Sequence, residues 1–214
     1  MVKNKETRET LASKLVSTNR SINITSLKVD EIAKIMEVSK VTMYKYFSSK
    51  EEIMETISEI FVRYIRNGAN INLNDGNFFD QYLNVFEQSI YLVYFTSNHL
   101  NNFKEYKIEL YNKLSQAKQH RAKQISDFYT KGENLGFFHQ VNASLLILSD
   151  ELILTQILDP SYLIQNGLSL EQTLLDYYQH HKRIVVLDKY KTSVDDQRAV
   201  NFINKFITKN SHNL

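Results

Sequence analysis

The sequence predicts an all-helical protein, with a small N-terminal module of three helices followed by a larger helical domain. Only one proline and five glycines occur among the 214 residues, whereas about 5% and about 7% are usual. Sandwiches, barrels and doubly wound folds need frequent turns and short loops, in which glycine and proline are common. Apolar residues also recur at the spacing of helix faces along much of the chain.

Composition excludes several other classes of protein. The chain has no cysteine, which excludes a disulfide framework, a thiol nucleophile and a zinc site built on thiolates. The longest strongly apolar runs, at 90–95 and 145–148, are far shorter than the about 20 residues that span a bilayer. The first 25 residues are polar and lack the apolar core of a secretion signal. We therefore expect a cytoplasmic protein with no membrane partner.

Capping signals divide the N-terminal part of the chain into four helices. Ser39 is expected to be an N-cap, because its hydroxyl can accept a backbone N–H of the helix that follows. Ser49 and Glu52 have the spacing of a capping box, which begins another helix. Apolar side chains at helical spacing form the expected buried faces. The expected helices cover 5–18, 28–36, 40–46 and 49–66.

Longer helices are expected behind a stretch rich in Asn and Gly at 67–77, the best candidate for a hinge. Gly136 is expected to be left-handed and to end a helix, Asn142 and Ser169 are expected N-caps, and Pro160 is expected to stop the helix before it. The expected helices cover 77–97, 102–135 as one or two helices, 142–158, 169–187 and 195–208. We assign 1–50 to a first domain, 49–66 to a linking helix and 67–214 to a second domain.

Residues 26–53 have the logic of a helix-turn-helix. An apolar helix is followed by a three-residue break and then by a short helix with polar, aromatic and basic side chains. In such a motif the second helix lies in the major groove of DNA. The stretch 38–50 contains three lysines and no acidic residue. Side chains that could contact bases or phosphates there are Lys40, Thr42, Tyr44 and Lys45, with Lys50 placed for a phosphate at the start of the next helix.

This stretch resembles the DNA-binding signature of the TetR family of transcriptional regulators, which runs roughly I-A and then G-V-S-x-G-T-L-Y-x-Y-F-x-S-K-E. The matching residues are Val29, Ile32, Ala33, Val38, Ser39, Lys40, Thr42, Met43, Tyr44, Tyr46, Phe47, Lys50 and Glu51. The resemblance implies DNA contacts from Lys40, Thr42, Tyr44, Lys45, Tyr46 and Lys50. It implies a motif core of Val29, Ile32, Ala33, Val38 and Phe47.

Two positions depart from the family pattern. The family commonly has glycine where this chain has Glu37 and Val41. Glu37 places a Cβ and a negative charge in the turn, where glycine eases a tight backbone. Val41 places a branched side chain where the family's backbone approaches the DNA closely. Lys28 also stands where a capping threonine is usual.

The resemblance implies that the remainder of the chain binds a small-molecule effector and forms a homodimer. The helices at about 142–158 and 169–187 are the expected dimer interface, with an ordinary buried core as the alternative. An aromatic band could line an apolar ligand pocket, although aromatic residues at helical spacing also fill ordinary cores. The candidate ligand-binding residues are Tyr91, Tyr94, Phe95, Phe103, Tyr106, Tyr111, Phe128 and Tyr129.

An enzyme is not expected. The six histidines are scattered, and the sequence has no HExxH motif, nucleophile elbow, phosphate-binding loop or dinucleotide fingerprint. We predict no metal site and no cofactor. Two functional hypotheses remain: a homodimeric DNA-binding regulator, in the first instance a ligand-released repressor of a palindromic operator, or a protein of the same fold that acts through a protein partner. Protection of a palindromic site in genomic DNA would discriminate between them.

Overall fold

The computed structural model describes residues 2–16, 22–67, 71 and 77–210. Within them the chain forms ten α-helices and one 3-10 helix, Asp188–Ser193, and no named strand, which confirms the all-helical fold class. No helix in this part of the chain is long and apolar enough to cross a membrane. The α-helices are α1 Val2–Val16, α2 Val29–Ile35, α3 Lys40–Tyr44, α4 Lys50–Asn67, α5 Phe78–Tyr106, α6 Ile108–Asn134, α7 Ala143–Ile157, α8 Pro160–Gln165, α9 Leu170–Val185 and α10 Asp196–Asn210.

The expected N-caps are confirmed by their hydrogen bonds. Ser39 Oγ accepts from Thr42 N at 3.0 Å, Asn142 Oδ1 from Leu145 N at 3.1 Å, and Ser169 Oγ from Gln172 N at 3.3 Å. Each side chain satisfies a backbone donor that the first helical turn leaves without a partner. The expected left-handed residue at the end of α6 is also confirmed, since Gly136 has φ 72.

The capping box at the start of α4 differs in one respect from the expected pattern. Ser49 Oγ accepts from Glu52 N at 3.2 Å, as the pattern predicts. The Glu52 carboxylate, however, accepts from Ser48 N at 2.6 Å and from Ser48 Oγ at 2.9 Å. The return bond of the box is therefore made one residue earlier than expected.

The predicted break between 97 and 102 is wrong, because α5 continues to Tyr106. His99 lies in the middle of that stretch, is buried, and stacks on Phe61 with 5.5 Å between ring centroids. The polar stretch that separated the two predicted helices is therefore part of one helix, with His99 packed in the core. Lys107 follows the last residue of α5. Its carbonyl accepts from Leu110 N at 3.1 Å, in the first turn of α6.

Pro160 has a different role from the expected one. The preceding helix does end nearby, at Ile157, but Pro160 is the first residue of a short helix, α8, that the sequence analysis did not predict. Asp159 caps this helix by accepting from Ser161 N at 2.9 Å. A proline is well suited to a first helical position, because its missing N–H would have no partner there.

The fold divides into two compact units. The first comprises Met1–Asn67 and Phe95–Lys118, and the second comprises Gly68–Tyr94 and Gln119–Leu214. The division falls within α5 and within α6, so both helices contribute to both cores. Most of the predicted hinge at 67–77, namely 68–70 and 72–76, lies outside the described residues, as do 17–21 after the first helix.

An aromatic cluster fills the core of the second unit. Phe128 stacks on Phe78 with 5.7 Å between centroids and meets the edge of Phe138 at 5.4 Å. Phe138 also pairs with Val186 in an isolated antiparallel bridge, which fixes its backbone. Its ring covers Gly132 of α6, where an added Cβ would lie 2.9 Å from Cγ and closer still to two other ring carbons.

We predict that Gly132→Ala destabilises the protein by about 1–3 kcal/mol, the usual cost of overpacking a core. Helix propensity alone predicts the opposite, a gain of about 1 kcal/mol. Urea unfolding followed by circular dichroism measures the difference. An alanine variant as stable as the wild type, or more so, would show that Phe138 is free to move away.

Candidate nucleic-acid interface

Helices α2 and α3 are joined by a tight turn at 36–39. Val38 N donates to Ala33 O at 3.1 Å, and Glu37 N donates to Lys34 O at 3.0 Å. Met36 and Met43 are both fully buried and lie on the inner sides of the two helices. These contacts set α3 across the end of α2, the arrangement of a helix-turn-helix.

The expected core of the motif is found in part. Ile32, Ala33 and Phe47 are buried, whereas Val29 and Val38 are only half-buried. Met43 takes a central place that the sequence analysis did not assign to it. Met43 stands at the leucine position of the family motif. A long apolar side chain at that position was the sequence signal for burial.

The face of α3 turned away from this core presents the predicted contact residues. Tyr44 is 49% exposed and Val41 is 70% exposed. Lys40 and Lys45 are also exposed, and Thr42 and Tyr46 are half-buried. Exposed apolar side chains are common on protein surfaces, so the assignment of this face depends on the motif and not on exposure alone.

Two of the lysines are engaged within the protein. Lys40 Nζ lies 2.6 Å from Asp30 Oδ1, in an exposed pair that is worth little and opens readily. Lys50 Nζ donates to Thr25 O at 2.6 Å and lies 5.7 Å above the ring of Tyr106. An ammonium has three donors, so Lys50 ties α4 to the loop before α2 and still has capacity for a phosphate.

Thr42 is held by the cap of its own helix. Its Oγ1 lies 2.9 Å from Ser39 Oγ, so the two hydroxyls share a hydrogen bond at the N-terminus of α3. Backbone N–H groups at such a terminus favour an anion. The helix has only five residues, and its dipole is accordingly a minor addition to the charges of the lysines.

Glu37 occupies the turn with a left-handed backbone, φ 58, the conformation that glycine adopts most easily. Its carboxylate pairs with Lys14 Nζ of α1, and the same ammonium donates to Met36 O at 3.2 Å. The hydrogen bond and charge of Lys14 lower the pKa of Glu37. The negative charge that departs from the family pattern is therefore neutralised within the module.

Arg8 of α1 contacts Phe47, which follows α3, and Glu52 of α4. The sequence did not predict these contacts. The Arg8 guanidinium lies 5.2 Å from the centroid of the Phe47 ring and 2.5 Å from Glu52 Oε1. Arg63 and Glu9 form a second link between α1 and α4, with two parallel hydrogen bonds of 3.0 and 2.8 Å. The partners in these contacts are tens of positions apart in the sequence, so no local sequence pattern predicts them.

The eight candidate ligand-binding residues fall in both units. Phe95, Phe103, Tyr106 and Tyr111 belong to the first unit, and Tyr91, Tyr94, Phe128 and Tyr129 to the second. Phe103 and Phe128 are fully buried in aromatic packing. Tyr129 is buried as well, and its hydroxyl has no hydrogen-bond partner among the described residues.

Comparison with known proteins gives the motif a family. Residues 23–57 match the family model described as bacterial regulatory proteins, tetR family, which confirms the resemblance and makes this segment a TetR-family helix-turn-helix. No curated protein matches the whole sequence.

Solved structures are similar over most of the chain. A TetR transcriptional regulator from Chloroflexus aurantiacus is 16% identical, with a TM-score of 0.62 over 87% of this chain and 100% of that one. The ketosteroid transcriptional regulator KstR2 of Mycobacterium tuberculosis is 13% identical, with a TM-score of 0.58 over 85% and 95%. AibR, solved with isovaleryl coenzyme A and operator DNA, is 14% identical, with a TM-score of 0.56 over 85% and 97%. The fold of this chain is thus similar to that of these transcriptional regulators.

We predict that Glu37→Gly is more stable than Glu37→Ala by about 1 kcal/mol. Both variants lose the pair with Lys14, and only alanine retains the cost of a left-handed backbone. Parallel urea denaturation of the two variants isolates this backbone term. Equal stabilities would mean that the turn relaxes out of the left-handed region when the ion pair is lost.

Proposed function

We propose that this chain, which carries a TetR-family helix-turn-helix, is a homodimeric repressor that binds a palindromic operator and is released from it by a small-molecule effector. The observation that carries the proposal is the exposed outer face of α3. There Tyr44 stands between Lys40 and Lys45, in the helix that lies in the major groove in this class of motif. We assign the protein to the cytoplasm and give it no catalytic role.

The proposed contacts divide into two kinds. Lys40, Lys45, Lys50 and the half-buried Tyr46 position the module by contacting phosphates, which carry no sequence information. Thr42 and Tyr44 contact base edges and set the preference for sequence. Val41 adds an apolar surface that suits a thymine methyl group. We keep the division into a DNA-binding domain at 1–50, a linking helix at 49–66 and a regulatory domain at 67–214 as part of this proposal.

Dimerisation is proposed through α7 and α9. Leu145, Leu148 and Leu152 follow one another at helical spacing on α7 and are all exposed, and Ile184 is exposed on α9. Such a row of large apolar side chains is costly in water and favours burial against a second copy. A two-fold dimer would present two recognition helices to two half-sites of a palindrome.

Release by an effector is proposed as a population shift between two geometries of the dimer, of which the effector prefers one. Among the eight aromatic candidates, Tyr129 is buried and its hydroxyl has no hydrogen-bond partner within the described part of the chain, and we propose that it contacts a polar group of the effector. AibR was solved with both an acyl coenzyme A and operator DNA. This precedent supports a regulator of the same fold that responds to a small molecule.

A second function, action through a protein partner without direct DNA binding, is favoured by one observation. Val41 is the most exposed apolar residue of α3, and it stands where the family's glycine allows close approach to DNA. Footprinting of genomic fragments separates the two functions. A protected palindrome supports the repressor, whereas no protected site at moderate salt would support the protein partner.

We predict distinct effects for two substitutions on α3. Lys45→Gln is expected to lower the slope of log affinity against log salt by about 0.9 and to weaken all sequences alike, because one phosphate contact is lost. Tyr44→Ala is expected to reduce the preference for operator over unrelated DNA by about 1–3 kcal/mol. Fluorescence anisotropy over a series of salt concentrations measures both. Lys34→Gln, on the exposed side of α2, is the control, and an equal effect of all three would remove α3 from the interface.

We predict that Leu148→Glu converts the dimer to a monomer, because two carboxylates would be buried against each other at the centre of the interface. The matched control is Leu135→Glu at the end of α6, since both leucines are 52% exposed. Sedimentation velocity gives the oligomeric state of each variant. A dimeric Leu148→Glu variant with the wild-type dissociation constant would place the interface elsewhere.

A further inference from the structure

A buried polar cluster lies between α5, α7 and α9 in the second unit. The Tyr177 hydroxyl donates to Asp150 Oδ1, and Tyr82 Oη lies 2.9 Å from His181 Nδ1. His181 Nε2 is 3.4 Å from Asp150 Oδ2 and is buried, with no hydrogen-bond partner among the residues that the structure describes. His181 is only 2% exposed and Asp150 only 8%. A charged group with unfilled hydrogen-bonding capacity is thus held away from bulk water.

This cluster forms the floor of a cavity of about 280 Å³ between α7 and α9. Its walls are apolar, from Leu145, Leu146 and Ile153 on α7 and Ile184 on α9. The cavity opens to the surface beside the exposed row of leucines. An apolar cavity with a few convergent polar groups is the usual form of a small-molecule site.

The charge at the floor selects the kind of ligand. A carboxylate can accept about four hydrogen bonds. Among the described residues, Asp150 accepts one, from the hydroxyl of Tyr177. Burial, and after it the negative charge of Asp150, raises the pKa of both Tyr129 and Tyr177, as expected for a carboxylate in poorly hydrated surroundings. Among the described residues, no lysine or arginine lines the cavity. A buried anion without a full set of partners is costly, and a cationic ligand would remove that cost.

An ammonium in the cavity could donate a hydrogen bond to the carboxylate of Asp150, which lines it. A carboxylate ligand would face Asp150 directly and be repelled. The cavity corresponds to about nine water volumes at about 30 Å³ each, which accommodates an amine with a single ring.

We propose that this cavity binds a small primary amine with an apolar body, whose ammonium pairs with Asp150. None of the eight aromatic residues assigned to ligand binding from the sequence lines it. The site is formed by α7 and α9 of one chain and requires no DNA. Its regulatory meaning rests on the proposed function. Because Leu145 and Ile184 belong both to the cavity wall and to the proposed dimer interface, its occupancy in the dimer requires that the partner leave the mouth of the cavity open.

The test uses the purified full chain, without DNA, and three probes of one shape: benzylammonium, benzyl alcohol and benzoate. Isothermal titration calorimetry is expected to show saturable binding of benzylammonium, at least about tenfold weaker binding of the alcohol, and none of benzoate, because charge-assisted hydrogen bonds to Asp150 are the stronger ones. Alcohol or benzoate binding as tightly as the amine would overturn the proposal, as would no binding of the amine.

Substitutions locate the site. Asp150→Asn keeps the shape of the side chain and its bond from Tyr177, and is expected to weaken benzylammonium binding at least about tenfold. Asp176→Asn makes the same change at an exposed position of α9 that does not line the cavity and is expected to leave binding unchanged. Ser149→Phe fills the cavity without touching the carboxylate and is expected to abolish binding. Unchanged binding by Asp150→Asn and Ser149→Phe would place the amine elsewhere.

Two controls keep these outcomes interpretable. Thermal unfolding establishes that each variant is folded, and if Asp150→Asn is not, Ser149→Phe alone decides. Leu148→Glu, whose side chain does not line the cavity, separates binding from dimerisation. Binding in this variant but not in the wild type would mean that a partner's side chain occupies the cavity, and would overturn the proposal. If the wild-type protein binds the amine but protects no palindromic site, only the proposed repressor function is overturned.

Discussion

The recognition helix depends on the burial of two side chains, Met43 and Phe47. A helix of five residues is far too short to be stable by itself in water. It persists because these side chains are fully buried beneath it, with Arg8 over the ring of Phe47. Each buries enough apolar surface to contribute about 1.5–3 kcal/mol. The residues on the outer face of α3 therefore need not contribute to the stability of the helix.

Helix α4 connects this module to the rest of the first unit. Lys50 at its start holds the loop before α2, and Glu51 and Glu55 on its next turn pair with Lys107 at the junction of α5 and α6. These exposed pairs add little to stability individually. Together they hold the beginning of α4 against Lys107, the one non-helical residue between α5 and α6.

Helix α7 carries opposite demands on its two sides. Its outer row of leucines is exposed and apolar, whereas Asp150, which lies between Leu148 and Leu152 in the sequence, is buried. A helix under selection for stability alone would reverse these placements. The same 15-residue element thus serves, in the functions we propose, both the association of two copies and the binding of a cation.

The sequence by itself determined the helical class, the N-caps at Ser39, Asn142 and Ser169, and the helix-turn-helix, because each depends on residues within a few positions of one another. The continuity of α5 through His99, the support of Phe47 by Arg8 and the cluster of Asp150, Tyr177 and His181 were decided only in the tertiary structure. Those features join side chains from helices that are tens of residues apart. Burial and charge compensation across that separation leave no periodic pattern in the sequence. For that reason the sequence pointed to the aromatic residues as ligand contacts and did not point to the buried carboxylate of Asp150.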